Sequence, residues 1–122
     1  MGALTTYGQQ SLLAIGGSLQ DAPTLYLALF SNSANPSGTP TELILTNYVR
    51  QPVPFYAVTA DQLANAADIP FRSLSAGSFL GAQLVDAITG GGCWSWVDQA
   101  SSFTIPASSD LTFPAGTLTV TR

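Results

Sequence analysis

The chain has 122 residues, a formal net charge of −4, 46% hydrophobic residues and only 8% charged ones, against roughly 25% charged in an average soluble protein. It has no histidine, no lysine and one cysteine, Cys93, which removes the usual general base near neutral pH, the usual amine nucleophile and the usual zinc ligands. Its basic side chains, Arg50, Arg72 and Arg122, are too few and scattered for the positive stripe that nucleic acid or an anionic membrane requires.

The elements are expected in the following order. Residues 4–15 form the one good helix, with Leu4, Tyr7, Leu12 and Ile15 near one face, Leu13 and Ala14 beside it, Thr5 or Thr6 as cap and Gly16-Gly17 as stop. Residues 24–31 (TLYLALFS) are apolar on both faces, as suits a central strand covered on both sides. Residues 32–41 (NSANPSGTPT) form a polar, exposed loop. Residues 48–58 (YVRQPVPFYAV) read as one extended segment, held to a sheet edge or a bulge by Pro52 and Pro54. Residues 68–74 form a short strand. Residues 79–88 and 93–97 make the clearest hairpin, with Thr89-Gly-Gly-Gly92 as a flexible tip. Short strands follow at 102–105 and 110–113, and Pro114-Ala-Gly116 turns the chain into a last alternating strand at 117–122.

Seven to nine short strands between turn signals predict a mainly β fold: a jelly-roll-like antiparallel β-sandwich with one N-terminal helix. The division is a helical segment, 1–17, and a single β-sandwich domain, 18–122. No internal repeat stands out. The first residues lack the positive start of a signal peptide, and no apolar run reaches the ~18 residues of a membrane span. A lone cysteine permits no intramolecular disulfide.

The seven acids, Asp21, Glu42, Asp61, Asp68, Asp86, Asp98 and Asp110, fall mostly at turns and strand ends, as caps and turn residues do. They show no calcium-loop spacing. No G-x-S-x-G elbow is present, and Gly90-Gly91-Gly92 lacks the Lys-Ser/Thr ending of a phosphate loop. The expectation is a chain without catalytic, cofactor-binding or metal-binding residues. Trp94 and Trp96, two apart in a strand, are expected to share a face, either in the core, at a subunit interface or as a stacking platform for a sugar. Arg50 and Arg72 are expected to pair with an acid or with backbone carbonyls. Cys93 is expected to pack beside Trp94, neither a nucleophile nor a metal ligand. The candidate interface residues are Tyr48, Arg50, Phe55, Arg72, Trp94 and Trp96.

Several pieces of the chain resemble small virion proteins of tailed bacteriophages, often labelled tail-fibre-like. They are the helix followed by TLYLALFS, Tyr48-Val-Arg50-Gln-Pro-Val53 with Phe55, Ile69-Pro-Phe71, Val85-Asp86-Ala87 with Thr89-Gly-Gly91, and the ending from Asp110 to Thr121. The order and spacing run along nearly the whole chain, departing between Phe71 and Gln83, where aromatics are sparse. The resemblance implies a virion structural protein, assembled in the host cytoplasm, with no catalytic residues. Its main expectation is a capsid cement protein. This would be a homotrimer bracing the shell by multivalent binding to the major capsid protein or other virion proteins, with no nucleic acid and no membrane as partner. The alternative is a tail or adsorption protein that binds a host glycan or another tail component.

Overall fold

A computed structural model describes residues 2–14, 24–59 and 62–121. In chain order the elements are β1 (Gly2–Ala3), α1 (Thr6–Ala14), β2 (Leu25–Phe30), β3 (Gln51–Val53), β4 (Phe55–Thr59), β5 (Gln62–Asn65), β6 (Ile69–Leu74), β7 (Gly77–Val85), β8 (Cys93–Ile105), β9 (Ser109–Phe113) and β10 (Thr119–Thr121). One four-stranded sheet has the order β3-β2-β7-β8, a second has β1-β10-β5-β4, and β6-β9 form a two-stranded ribbon. Among the described residues every strand pairing is antiparallel except β1 with β10. The protein is therefore mainly β, an antiparallel sandwich with one short helix, as the sequence predicts. A jelly-roll winding is a finer statement than this strand order makes.

β2 explains the two-sided apolar run. Leu25, Leu27 and Leu29 enter the main core with Leu84, Ile69, Phe71, Leu63 and Val120, which come from all three sheets. Ala28 and Phe30 face the other way, against Ala34 and Val85, with Tyr26, Cys93 and Trp96 packed at the margin. The loop at 32–41 covers part of this outer face. It is well anchored: the buried Gln83 side chain donates to the Ala34 carbonyl at 2.6 Å, and Asp98 accepts from Ala34 N–H at 2.7 Å and from Ser33 Oγ at 2.5 Å. Asn32 closes its neck, donating to Thr39 O at 2.9 Å and accepting from Thr41 N–H at 2.7 Å.

Three expectations are corrected, and one strand is found where none was expected. First, residues 48–58 are not one strand: β3 and β4 belong to different sheets, each at an edge, and the chain crosses between them at Pro54. Pro54 has no N–H for either ladder, while its carbonyl accepts from Ala66 N–H at 2.7 Å. Second, residues 62–65 form β5, although the run has no β-branched residue to mark it. Its Asn65 is fully buried; it accepts from Leu118 N–H at 2.9 Å and donates to Ala67 O and Pro114 O, tying β5 to the turn before β10. Third, the strands expected at 93–97 and 102–105 are one, β8, which kinks where the register with β7 shifts between Phe79 and Gly81.

Fourth, Trp94 and Trp96 do not share a face. Val85 pairs with Cys93 and Leu84 with Ser95, so Trp94 is an extra residue in a β-bulge. The bulge turns Trp94 into the main core, where it is 1% exposed, and leaves Trp96 half-buried on the opposite face of the sheet.

The helix forms as expected. Thr5 caps it: Oγ1 accepts from Gly8 N–H at 3.0 Å and donates to Cys93 O at 2.5 Å, fastening α1 to β8. Leu4 and Leu12 are buried, whereas Tyr7 and Leu13 are exposed. Ile15, the Gly16-Gly17 stop, the segment boundary at 17/18, Asp21, Asp61 and Arg122 lie outside the described residues.

Candidate functional site

The glycine-rich turn between β7 and β8 organises the surface. Gly90 and Gly91 have φ of 66° and 77°, a left-handed backbone that favours glycine. The turn is not the loose tip its sequence suggests, because side chains grip it at both ends. At one end Asp86 accepts from Gly92 N–H at 2.8 Å, from the Tyr7 hydroxyl at 2.6 Å and from Trp94 Nε1 at 3.2 Å. Burial pushes the Asp86 carboxyl up, but these three donors outweigh it and hold the group below its usual range.

At the other end stands Arg50. Its Nη1 donates to Ala87 O at 2.9 Å and to Gly90 O at 2.7 Å. Its Nε and Nη2 make a bidentate pair with Glu42, at 2.9 and 2.8 Å. Tyr48 completes the cluster, donating to Glu42 Oε2 at 2.6 Å and accepting from Leu29 N–H at 2.9 Å. Burial opposes ionisation of Glu42, but the bonds from Arg50 and Tyr48 prevail and keep its pKa low. The Tyr48 phenol is raised strongly, by burial first and then by donation to Glu42. The arginine is raised by the same carboxylate. None of the three exchanges a proton near neutrality, so the cluster holds shape.

What it holds is a groove of about 630 Å³ between residues 41–50 and 88–90. Glu42, Tyr48 and Arg50 line its base, and Ile44, Val49 and Ile88 stand on its rim, 94%, 51% and 52% exposed. Three large aliphatic side chains left in water around a rigid base form an apolar patch, and such patches mark contact surfaces.

The six candidate residues therefore separate. Tyr48 and Arg50 meet in this groove. Phe55, on β4, is half-buried against the main core. Arg72, on β6, makes a wide, exposed pair with Asp110 at 3.6 Å. Trp94 lies in the core, and Trp96 lines a second cleft, of about 410 Å³, beside Tyr7 and the 35–37 turn. Sequence reasoning missed Glu42, Ile44, Val49 and Ile88. The sequence carried a signal for Ile44, in the aliphatic run Leu43-Ile-Leu45 that follows the proline-rich loop and Glu42.

Three further acids among the described residues act as turn and loop anchors: Asp68 accepts from Ala115 N–H, Asp110 from Ser73 N–H and Asp98 from Ala34 N–H. Cys93 is half-buried, and burial raises its thiol to about 11. Among the described residues, no three His, Cys, Asp or Glu side chains gather as a metal site, and no helix is long and apolar enough to cross a membrane.

Comparison with known families gives a match over residues 3–121 to the family described as Podophage GP4 fiber I protein gp80. No curated protein matches the chain. The match spans nearly every residue, so the chain belongs to this family of bacteriophage fibre proteins and is a virion structural protein.

Proposed function

We propose that this protein is a non-catalytic component of the phage tail-fibre apparatus that docks on another virion protein through the groove above Arg50. The observation that carries this reading is the trio Ile44, Val49 and Ile88, exposed on ground that Glu42, Tyr48 and Arg50 make rigid. Apolar side chains held on a fixed backbone are inexpensive to bury, because little ordering remains to be done when the partner arrives. The partner that fits is a protein surface presenting apolar side chains. The low charge of the chain adds to this: with 8% charged residues, little repels a neighbouring subunit. In this reading the working unit is a homotrimer.

The family description supports the fibre reading over capsid cement, which is set aside. The two differ in what fails when the protein is missing. Phage lacking it should fill heads that withstand heat and osmotic shock as well as the parent, yet fail to complete tails or adsorb. Ile44→Asp and Ile88→Asp, both at exposed positions, should leave the isolated protein folded and its incorporation into particles reduced. Fragile heads with normal adsorption would reverse the assignment. Normal incorporation of both variants would move the docking surface elsewhere.

A further inference from the structure

The second cleft lies on the other side of the glycine-rich turn, between the start of α1, the 35–37 turn and β8. Its walls carry two aromatic rings that are fixed before anything binds. The Tyr7 ring lies so closely over Gly92 that a Cβ there would overlap ring atoms. Its hydroxyl is tied to Asp86 at 2.6 Å. One face of the ring is thus backed by the glycine, and the side chain is still 46% exposed. Trp96 is set by packing against the cluster of Ala28, Phe30, Ala34 and Val85 and stays half-open.

The polar groups around these rings are unspent. Trp96 Nε1, the Asn35 side-chain NH₂ and the hydroxyls of Thr6 and Ser37 have no partner among the described residues. Among the described residues no buried side-chain nitrogen or oxygen lacks a partner, so these free groups are reachable by water. The neighbouring acid, Asp86, spends its oxygens on Tyr7, Trp94 and Gly92 instead. No charged residue lines the cleft.

Fixed aromatic faces beside uncharged donors and acceptors match one ligand chemistry well. A pyranose offers apolar C–H faces to a ring and hydroxyls to amides and hydroxyls. An anionic sugar would find no cation in the cleft, and a peptide would bring charged termini or side chains that find no counterpart. The geometry points to a binding site for a neutral saccharide, with Tyr7 and Trp96 as stacking surfaces and Asn35, Ser37 and Thr6 as hydrogen-bonding groups. The site is separate from the aliphatic groove and does not depend on the docking assigned to it.

The two tryptophans make the test specific, because only Trp96 can report on the cleft. The isolated protein is titrated with lactose, maltose and chitobiose, and with sialyllactose as the acidic comparison, reading tryptophan emission and saturation-transfer NMR. Binding of at least one neutral sugar is expected in the millimolar range, as suits an open cleft, roughly 1 mM corresponding to −4.1 kcal/mol. Trp96→Phe, which keeps a ring but removes Nε1, and Ser37→Ala, at an exposed turn, should each weaken binding about 3-fold or more, and Asn35→Ala about 10-fold. Arg72→Ala, on β6 and outside the lining of the cleft, should leave it within about 2-fold. The proposal falls if no neutral sugar binds at tens of millimolar, if sialyllactose binds as well as the best neutral sugar, or if binding survives all three cleft substitutions. A failure here leaves the incorporation phenotype of the groove variants untouched.

Discussion

The two ends of the glycine-rich turn are built from different materials. The Arg50 end is aliphatic, with a partly buried ion pair beneath it. The Tyr7 end is aromatic and lined by neutral polar groups. Both are rigid, and in both a carboxylate is consumed in producing that rigidity: Glu42 accepts three bonds at one end and Asp86 three at the other. The difference teaches what the two acids do structurally. They fix surfaces, and what each surface can hold is set by the side chains left unspent around it.

Breaking the Arg50 end should have the largest effect. The Arg50 side chain is 10% exposed and Glu42 29%. Arg50→Ala strands a carboxylate and frees the Ala87 and Gly90 carbonyls. We expect a loss of about 2–4 kcal/mol, read from the urea midpoint, since breaking a buried pair costs ~3–5 kcal/mol and this one is partly open. The pH dependence sharpens the same point. Glu42 has a folded pKa below its unfolded value of roughly 4.3, so its contribution is complete well above that and disappears as pH falls through the folded value. Asp86 follows the same sign. The parent should lose stability below about pH 5, and Arg50→Ala should lose less over that interval because Glu42 no longer has its cation.

Breaking the Tyr7 end should cost less. Gly92→Ala places a methyl group where the Tyr7 ring lies, and the ring must move away from Asp86. A loss of about 1–3 kcal/mol is expected, in the range of overpacked sites. The aliphatic groove should be unaffected, so particle incorporation persists while any saccharide affinity goes. An equal loss of both functions would mean that the turn moves as one piece and that the two ends are not independent.

How much of this could be read along the chain depends on how far apart the partners are. The two-sided strand β2, the hairpin of β7 and β8 and the alternating end of the chain are local patterns, and each was legible. The separation of Trp94 from Trp96 was not, because a single bulged residue, visible only in the pairing of β8 with β7, reverses the alternation. β5 escaped for want of β-branched residues; what commits it to a strand is its pairing with β10 and β4 and the buried Asn65. The site was half legible. Tyr48 and Arg50 stand out in the sequence as an aromatic residue and one of three cations. Glu42, Ile44 and Ile88 became part of the site through contacts across the fold, as did the Tyr7–Asp86 bond, which joins residues 79 apart.

The smallest effect should come from the other arginine. Arg72 and Asp110 are 72% and 51% exposed, with 3.6 Å between nitrogen and oxygen. Arg72→Ala should shift stability by less than about 0.5 kcal/mol, as exposed pairs do. Asp110 keeps its bond to Ser73 N–H at 2.8 Å without it. A shift as large as that of Arg50→Ala would overturn the ranking of the two pairs by burial.

The central claim is that this protein works in the fibre apparatus and not on the shell. Its position in the intact virion tests that directly, by cryo-electron microscopy of particles carrying a labelled copy together with its copy number from quantitative mass spectrometry. The account predicts density at the tail or its fibres, in copies that are few compared with the major capsid protein and reduced by Ile44→Asp. Regular density across the head surface, in copy numbers that scale with the capsid lattice, would contradict it.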